Sequence, residues 1–221
     1  MADKFPMANV LGIDLSPIQP KWVPPNCSFE VDDTEKEWTH SVNYFDFIHI
    51  RNLAQSISDW PRLMSQAYLA MVPGGYVELV ESTPPLYCDD GSMKNDDGNK
   101  IYCDRLVESL ERIGRPVARL SAMMRYLEDA GFVDVEVFKY KQPVGLWPKE
   151  KRLKRIGAMC LLSCETGYEA YGMAFLTRIL GMENEDALKL CKDALEAVRN
   201  KRVHVYGYMY VAYGRKPEEY Y

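Results

Sequence analysis

Residues 45–82 constrain the fold more than any other stretch of this 221-residue chain. Phe45-Asp46-Phe47-Ile48-His49-Ile50 is a short apolar run with the length of a buried strand. Asp59-Trp60-Pro61 then opens a helix, with Asp59 as its cap and Pro61 in the first turn, where a missing N–H is no loss. That helix runs to about Met71 and is stopped by Pro73-Gly74-Gly75. Tyr76-Val77-Glu78-Leu79-Val80-Glu81-Ser82 follows at once as the next strand. Strand, helix, strand in so short a space is a crossover, which makes the two strands parallel and confines the architecture to α/β.

The alternation extends in both directions. Val10–Leu15 and Cys27–Val31 read as earlier strands, the first ending at Asp14-Leu15 and the second at Asp32-Asp33. Residues 83–97 are a loop by composition. Helices at about 99–113 and 118–130 are split by Gly114-Arg115-Pro116, and Ala130-Gly131-Phe132 leads into a strand at Val133–Phe138. Beyond Gly145-Leu146-Trp147-Pro148 a helical stretch reaches about Leu180, a helix follows at about 183–199, and Val203–Tyr213 is a long aromatic strand. The expected fold is one α/β domain over 1–221, a three-layer sandwich on a mostly parallel sheet, whose closing strands are separated by a helical insertion.

Composition excludes several classes. No run of about 18 apolar residues occurs, so no membrane partner is expected. Net charge is −5 with no basic stripe standing out, which disfavours nucleic acid. Met1 to Pro6 has no signal-peptide core, so the expected compartment is the cytoplasm or the nucleus. The six cysteines are scattered; Cys160 and Cys164 have helical spacing, and His40, His49 and His204 are far from them in sequence, so no metal site is expected.

Open α/β sheets bind ligands at the carboxyl ends of their strands. Asp14, Asp32 or Asp33, and Arg51-Asn52 fall there. A carboxylate at a strand end can accept two ribose hydroxyl protons, and an acid one strand over can take an adenine amino group. Taken singly, each is an ordinary turn residue.

Taken together they say more. Gly12-Ile13-Asp14-Leu15-Ser16-Pro17-Ile18-Gln19-Pro20, Val23-Pro24-Pro25-Asn26-Cys27 and Phe47-Ile48-His49-Ile50-Arg51 resemble class I S-adenosylmethionine-dependent methyltransferases, most of all the fungal group related to the LaeA regulator of secondary metabolism. Pro73 to Glu78, Gly131-Phe132, Gly145 to Pro148 and Tyr213 to Pro217 continue the likeness over nearly the whole chain. The resemblance implies a Rossmann-like fold and S-adenosylmethionine or S-adenosylhomocysteine as cofactor. It assigns Asp14 to the ribose hydroxyls, Asp32 or Asp33 with its neighbours to the adenine, and Ile50 and Arg51 to the methionine part, with Leu15 among the cofactor contacts. In that family the first strand ends in an acidic glycine-rich turn, whose glycines let backbone approach the cofactor closely. None of the 14 glycines here forms Gly-x-Gly, and only nine residues precede Val10. The expectation is therefore an N-terminally truncated sheet with two open strand edges, covered by a rearranged sheet, a partner chain or an element exchanged in a homodimer.

The family's acceptor pocket corresponds to 83–122 and 145–182, helical segments expected to form a lid. Tyr102, Met123, Trp147, Met159 and Tyr171 are the candidate contacts for a small apolar metabolite, although such residues at helical spacing are usually core. Candidate bases are His49, on the third strand, and Glu81, at the end of the fourth. Three functions follow: methyl transfer to a polyketide- or alkaloid-like metabolite of fungal secondary metabolism, a cofactor-independent cyclisation or isomerisation on the same scaffold, and a non-catalytic regulatory role.

Overall fold

The structure, a computed structural model, describes every residue except 83, 85, 116 and 219–221. Two sheets form. Strands β1 (Val10–Asp14) and β2 (Cys27–Val31) pair in parallel, Val10 opposite Cys27 and Asp14 opposite Val31. Strands β3 (Phe45–Arg51), β4 (Met71–Ser82), β5 (Val133–Pro143) and β6 (Tyr206–Arg215) make a second sheet in the order β3-β4-β6-β5. β3 and β4 are parallel, and β6 runs against both its neighbours, so three of the four strands share one direction. No ladder joins the two sheets among the described residues, which leaves one edge of β1 and one of β3 without a strand partner there. The helices are α1 (Trp60–Ala70), α2 (Gly98–Arg112), α3 (Leu120–Asp129), α4 (Lys151–Met173), continued by a π-helical turn over Ala174–Ile179, and α5 (Asn184–Arg199). The α/β class and the mostly parallel sheet are those the sequence implies.

The β3–α1–β4 crossover forms as its residues dictate at the start and differently at the end. Asp59 caps α1, its Oδ1 accepting the Arg62 amide at 3.0 Å. Pro73-Gly74-Gly75, however, does not separate helix from strand: β4 begins at Met71, and the three residues lie inside it as a bulge. Phe45 faces Met71 while Phe47 faces Tyr76, so five steps on β4 match two on β3. Gly75 sits so close to β3 that a Cβ there would lie 2.9 Å from the Asp46 carbonyl oxygen. The bulge is pinned by Lys216, whose backbone exchanges hydrogen bonds with Gly74 and Gly75. Its buried ammonium donates to Asn43 Oδ1 and to the Tyr68 and Met71 carbonyls, satisfying acceptors that the end of α1 would leave orphaned.

Two other boundaries move. β5 continues five residues past Phe138, because Lys139 to Pro143 pair with Tyr210 to Tyr206. β6 starts at Tyr206 rather than Val203, because the Val205 carbonyl is taken by the Val144 amide and the Trp147 indole. The split at Gly114-Arg115-Pro116 is present up to Arg115; Pro116 lies outside the described residues, as do Thr83 and Pro85 of the loop.

The main core lies between one face of the four-stranded sheet and helices α1 and α3: Leu63, Met64, Val77, Leu79, Leu127 and Phe132 are at most 3% exposed. Each such side chain contributes about 1.5–3 kcal/mol by leaving water. The opposite face is open in part, with Phe47, Tyr76, Phe138 and Tyr140 between 36% and 55% exposed. The helical insertion has a separate core, in which Tyr102, Leu176, Ala187 and Cys191 lie between α2, α5 and the π-helical turn.

Candidate functional site

The carboxyl ends of β1 and β2 are tied together: the Asp32 amide donates to the Asp14 carbonyl at 3.1 Å. Each acid there uses one carboxylate oxygen to close its own turn. Asp14 Oδ1 accepts the Ser16 amide at 2.8 Å, Asp32 Oδ1 the Asp33 amide at 2.8 Å, and Asp33 Oδ1 the Glu35 amide at 3.1 Å. Among the described residues, Oδ2 of Asp14 and of Asp32 accepts nothing. Asp14, Leu15 and Asp32 are exposed. The turn geometry thus orients two open carboxylate oxygens on neighbouring strand ends, an acceptor set suited to hydroxyl or amino donors.

The end of β3 is held by β4. Asn52 takes a left-handed backbone (φ 54°), which asparagine tolerates better than most residues, and its amide donates to the Val80 carbonyl. Glu81, only 2% exposed, reaches across from β4, and its Oε1 accepts the Leu53 amide at 2.8 Å and the Ala54 amide at 3.1 Å. Burial raises the pKa of this carboxyl above its ordinary value, and the two amides oppose that rise. Glu81 is therefore a buried anchor of the turn that carries Arg51, not a carboxylate standing open in a pocket. Ile50 points into the main core at 6% exposure, while Arg51 is exposed. His49 shares a face of β3 with Arg51, two residues on, and its Nδ1 lies 2.8 Å from Oε1 of Glu78, its register partner on β4. Nε2 of His49 has no partner among the described residues.

A third group was not legible in the sequence. Glu35, past the end of β2, accepts from the Ser58 hydroxyl and amide and from the Asp59 amide, joining that loop to the start of α1. The Ser58 hydroxyl, then its amide, hold the Glu35 pKa below its ordinary value. Arg115 donates to the Gln55 and Ser56 carbonyls from the other side. These partners are 23 and about 60 residues apart in the chain, and no local pattern announces them.

The five residues proposed to line an acceptor pocket are not brought together. Tyr102 is buried in the helical insertion, its hydroxyl donating to the Tyr168 carbonyl, and Met123 lies in the main core beneath the sheet. Trp147 packs on the His204 ring, and its indole ties the β5–α4 turn to the Val205 carbonyl. Met159 and Tyr171 project from α4, 61% and 64% exposed. Hydrophobic residues at helical spacing identify a face without saying whether it turns inward. The strand ends on this side carry a different cluster: Asp89 binds the Tyr206 hydroxyl and Lys141, and Asp90 lies 2.5 Å from Nδ1 of His204 while accepting from Ser92 and Cys88. A surface depression of about 300 Å³ lined by Ile101, Asp104, Arg105 and Glu108 lies on α2 and touches none of the candidate residues.

The open oxygens of Asp14 and Asp32 fit the nucleoside half of S-adenosylmethionine, since both are acceptors and that half offers hydroxyl and amino donors. The chain contains no Gly-x-Gly, and Arg51 is an exposed cation at the end of β3, of the charge that suits a carboxylate.

Residues 1–137 match the family model described as a methyltransferase domain. The chain is 38% identical over 218 residues to the methyltransferase pytC of Aspergillus terreus, covering 98% of this chain and 67% of that protein. It is 32% identical over 222 residues to the secondary metabolism regulator LAE1 of Cochliobolus heterostrophus, covering 99% and 72%. Its fold is similar to that of phosphoethanolamine N-methyltransferase 2 of Haemonchus contortus, solved with S-adenosylhomocysteine, with a TM-score of 0.54 at 19% identity over 98% of this chain and 45% of that one. The chain belongs to the methyltransferase-domain family, in the fungal secondary-metabolism group that includes LaeA-like proteins.

Proposed function

We propose that this chain binds S-adenosylmethionine at the strand ends and takes part in methyl transfer to a small apolar metabolite, polyketide- or alkaloid-like. The observation that carries the reading is the open Oδ2 of Asp14, oriented by the Ser16 amide and tied through its backbone to Asp32. When bound, the cofactor supplies an electrophilic methyl on its sulfonium. Asp14 would accept hydrogen bonds from the ribose hydroxyls and Asp32 from the adenine amino group, and Arg51 would meet the carboxylate of the amino-acid end. Glu81 acts at one remove, fixing the turn that bears Arg51. His49, oriented through Nδ1 by Glu78, would hold the acceptor's proton at Nε2, which has no partner among the described residues.

Calorimetric titration with S-adenosylhomocysteine tests the reading. A charge-assisted hydrogen bond is worth about 1.5–3 kcal/mol, so Asp14→Asn is expected to weaken binding about tenfold to a hundredfold. No heat from the unaltered protein at millimolar ligand, or an unchanged affinity in Asp14→Asn, would refute it.

A further inference from the structure

Helix α4 has two distinct faces. Gly157, Cys164 and Gly172 are buried on the inner one, where Cys160 and Tyr168 also pack. On the outer one, Arg152, Arg155, Met159, Leu162, Thr166 and Glu169 are all exposed and follow at steps of three, four, three, four and three residues. That spacing is the one a packed helix seam uses, and its apolar positions here are Met159 and Leu162. At its centre Met159 and Leu162 stand 61% and 53% exposed, adjacent on the surface.

The charge at one end of the seam is the second observation. Lys149, Lys151, Arg152, Lys154 and Arg155 place five cations within seven residues of a chain whose net charge is −5. Glu150, the acid among them, is engaged as the cap and accepts the Arg152 and Leu153 amides. None of the five cations makes an ion pair among the described residues. They crowd the positive end of the helix dipole, where acids are favoured and cations are not, and the first turn of α4 holds no acid. Glu150 offsets one charge of the five, and the surplus of exposed cations is what an acidic partner would complement.

We propose that the outer face of α4 docks one amphipathic helix of an acidic partner protein, its carboxylates over Arg152 and Arg155 and its branched apolar side chains over Met159 and Leu162. A membrane is the poorer occupant. Two apolar side chains offer too little area for insertion, and Glu169 farther along the same face opposes an anionic surface. Nucleic acid would leave the apolar pair without a role.

The test is fluorescence anisotropy of the full chain with a labelled peptide of about three heptads, carrying leucine at the seam positions and glutamates over one end. Binding is expected to weaken about tenfold in Met159→Ala/Leu162→Ala and in Arg152→Glu/Arg155→Glu, and to weaken with added salt. These side chains are exposed, so unchanged thermal unfolding of both variants shows that the fold is kept. The proposal is overturned by an absence of peptide binding or by equal binding of a scrambled peptide. It is equally overturned by an unaffected Met159→Ala/Leu162→Ala variant, or by tighter binding of phosphatidylserine vesicles or duplex DNA than of the peptide.

Discussion

Replacing Glu81 by alanine removes the acceptor that holds the turn after β3. The Leu53 and Ala54 amides, at 2.8 and 3.1 Å from Oε1, both lose a charged partner. Each such bond is worth about 1.5–3 kcal/mol, and partial rehydration of the released turn returns some of that, so Glu81→Ala is expected to cost about 3–5 kcal/mol. That is a large share of a stability of about 5–15 kcal/mol. Glu81→Gln keeps an acceptor oxygen and removes a buried charge, so it costs less than alanine at neutral pH. The sign of its pH dependence follows from burial. The folded-state pKa is raised above the ordinary 4.5, so the acid's proton-linked contribution is complete below that value and is lost as pH rises through the raised one. The advantage of the natural residue over glutamine is therefore larger at about pH 4 than at about pH 7. Urea unfolding at both pH values measures it, and hydrogen exchange at the Leu53 and Ala54 amides reports on the turn itself. The reasoning fails if Glu81→Ala leaves both amides as protected as before, or if the gap to glutamine widens as pH rises.

Two further outcomes are expected. A Cβ on Gly157 would lie 2.0 Å from the Gly145 carbonyl oxygen, so Gly157→Ala forces α4 away from the β5–α4 turn; a loss of about 2 kcal/mol or more should lower the melting temperature by about 5 °C in calorimetry. The Glu35 carboxyl, held low by Ser58, contributes stability that is present above its ordinary 4.5 and lost as pH falls through the lowered value. The difference in melting temperature between Glu35→Gln and the natural chain should therefore shrink on acidification below about pH 4, whereas a pH-independent difference would remove the Ser58 contact from the account.

Much of the fold was written locally. Asp59 and Pro61 start α1 where capping chemistry requires, and the alternation of apolar runs with amphipathic segments marks the strands and α-helices to within five residues. Asp14 and Asp32 also follow from sequence order alone, because a polar residue directly after an apolar strand must stand at its end. Tertiary structure decided what depends on partners distant in the chain. Pro73-Gly74-Gly75 became a bulge because Asp46 and Lys216 close on it, Glu81 became a buried anchor because the turn after β3 presents it with two amides, and Met159 and Tyr171 faced outward because the small residues of α4 pack inward. Periodicity states which residues share a face, and only the neighbouring elements decide whether that face meets protein or water.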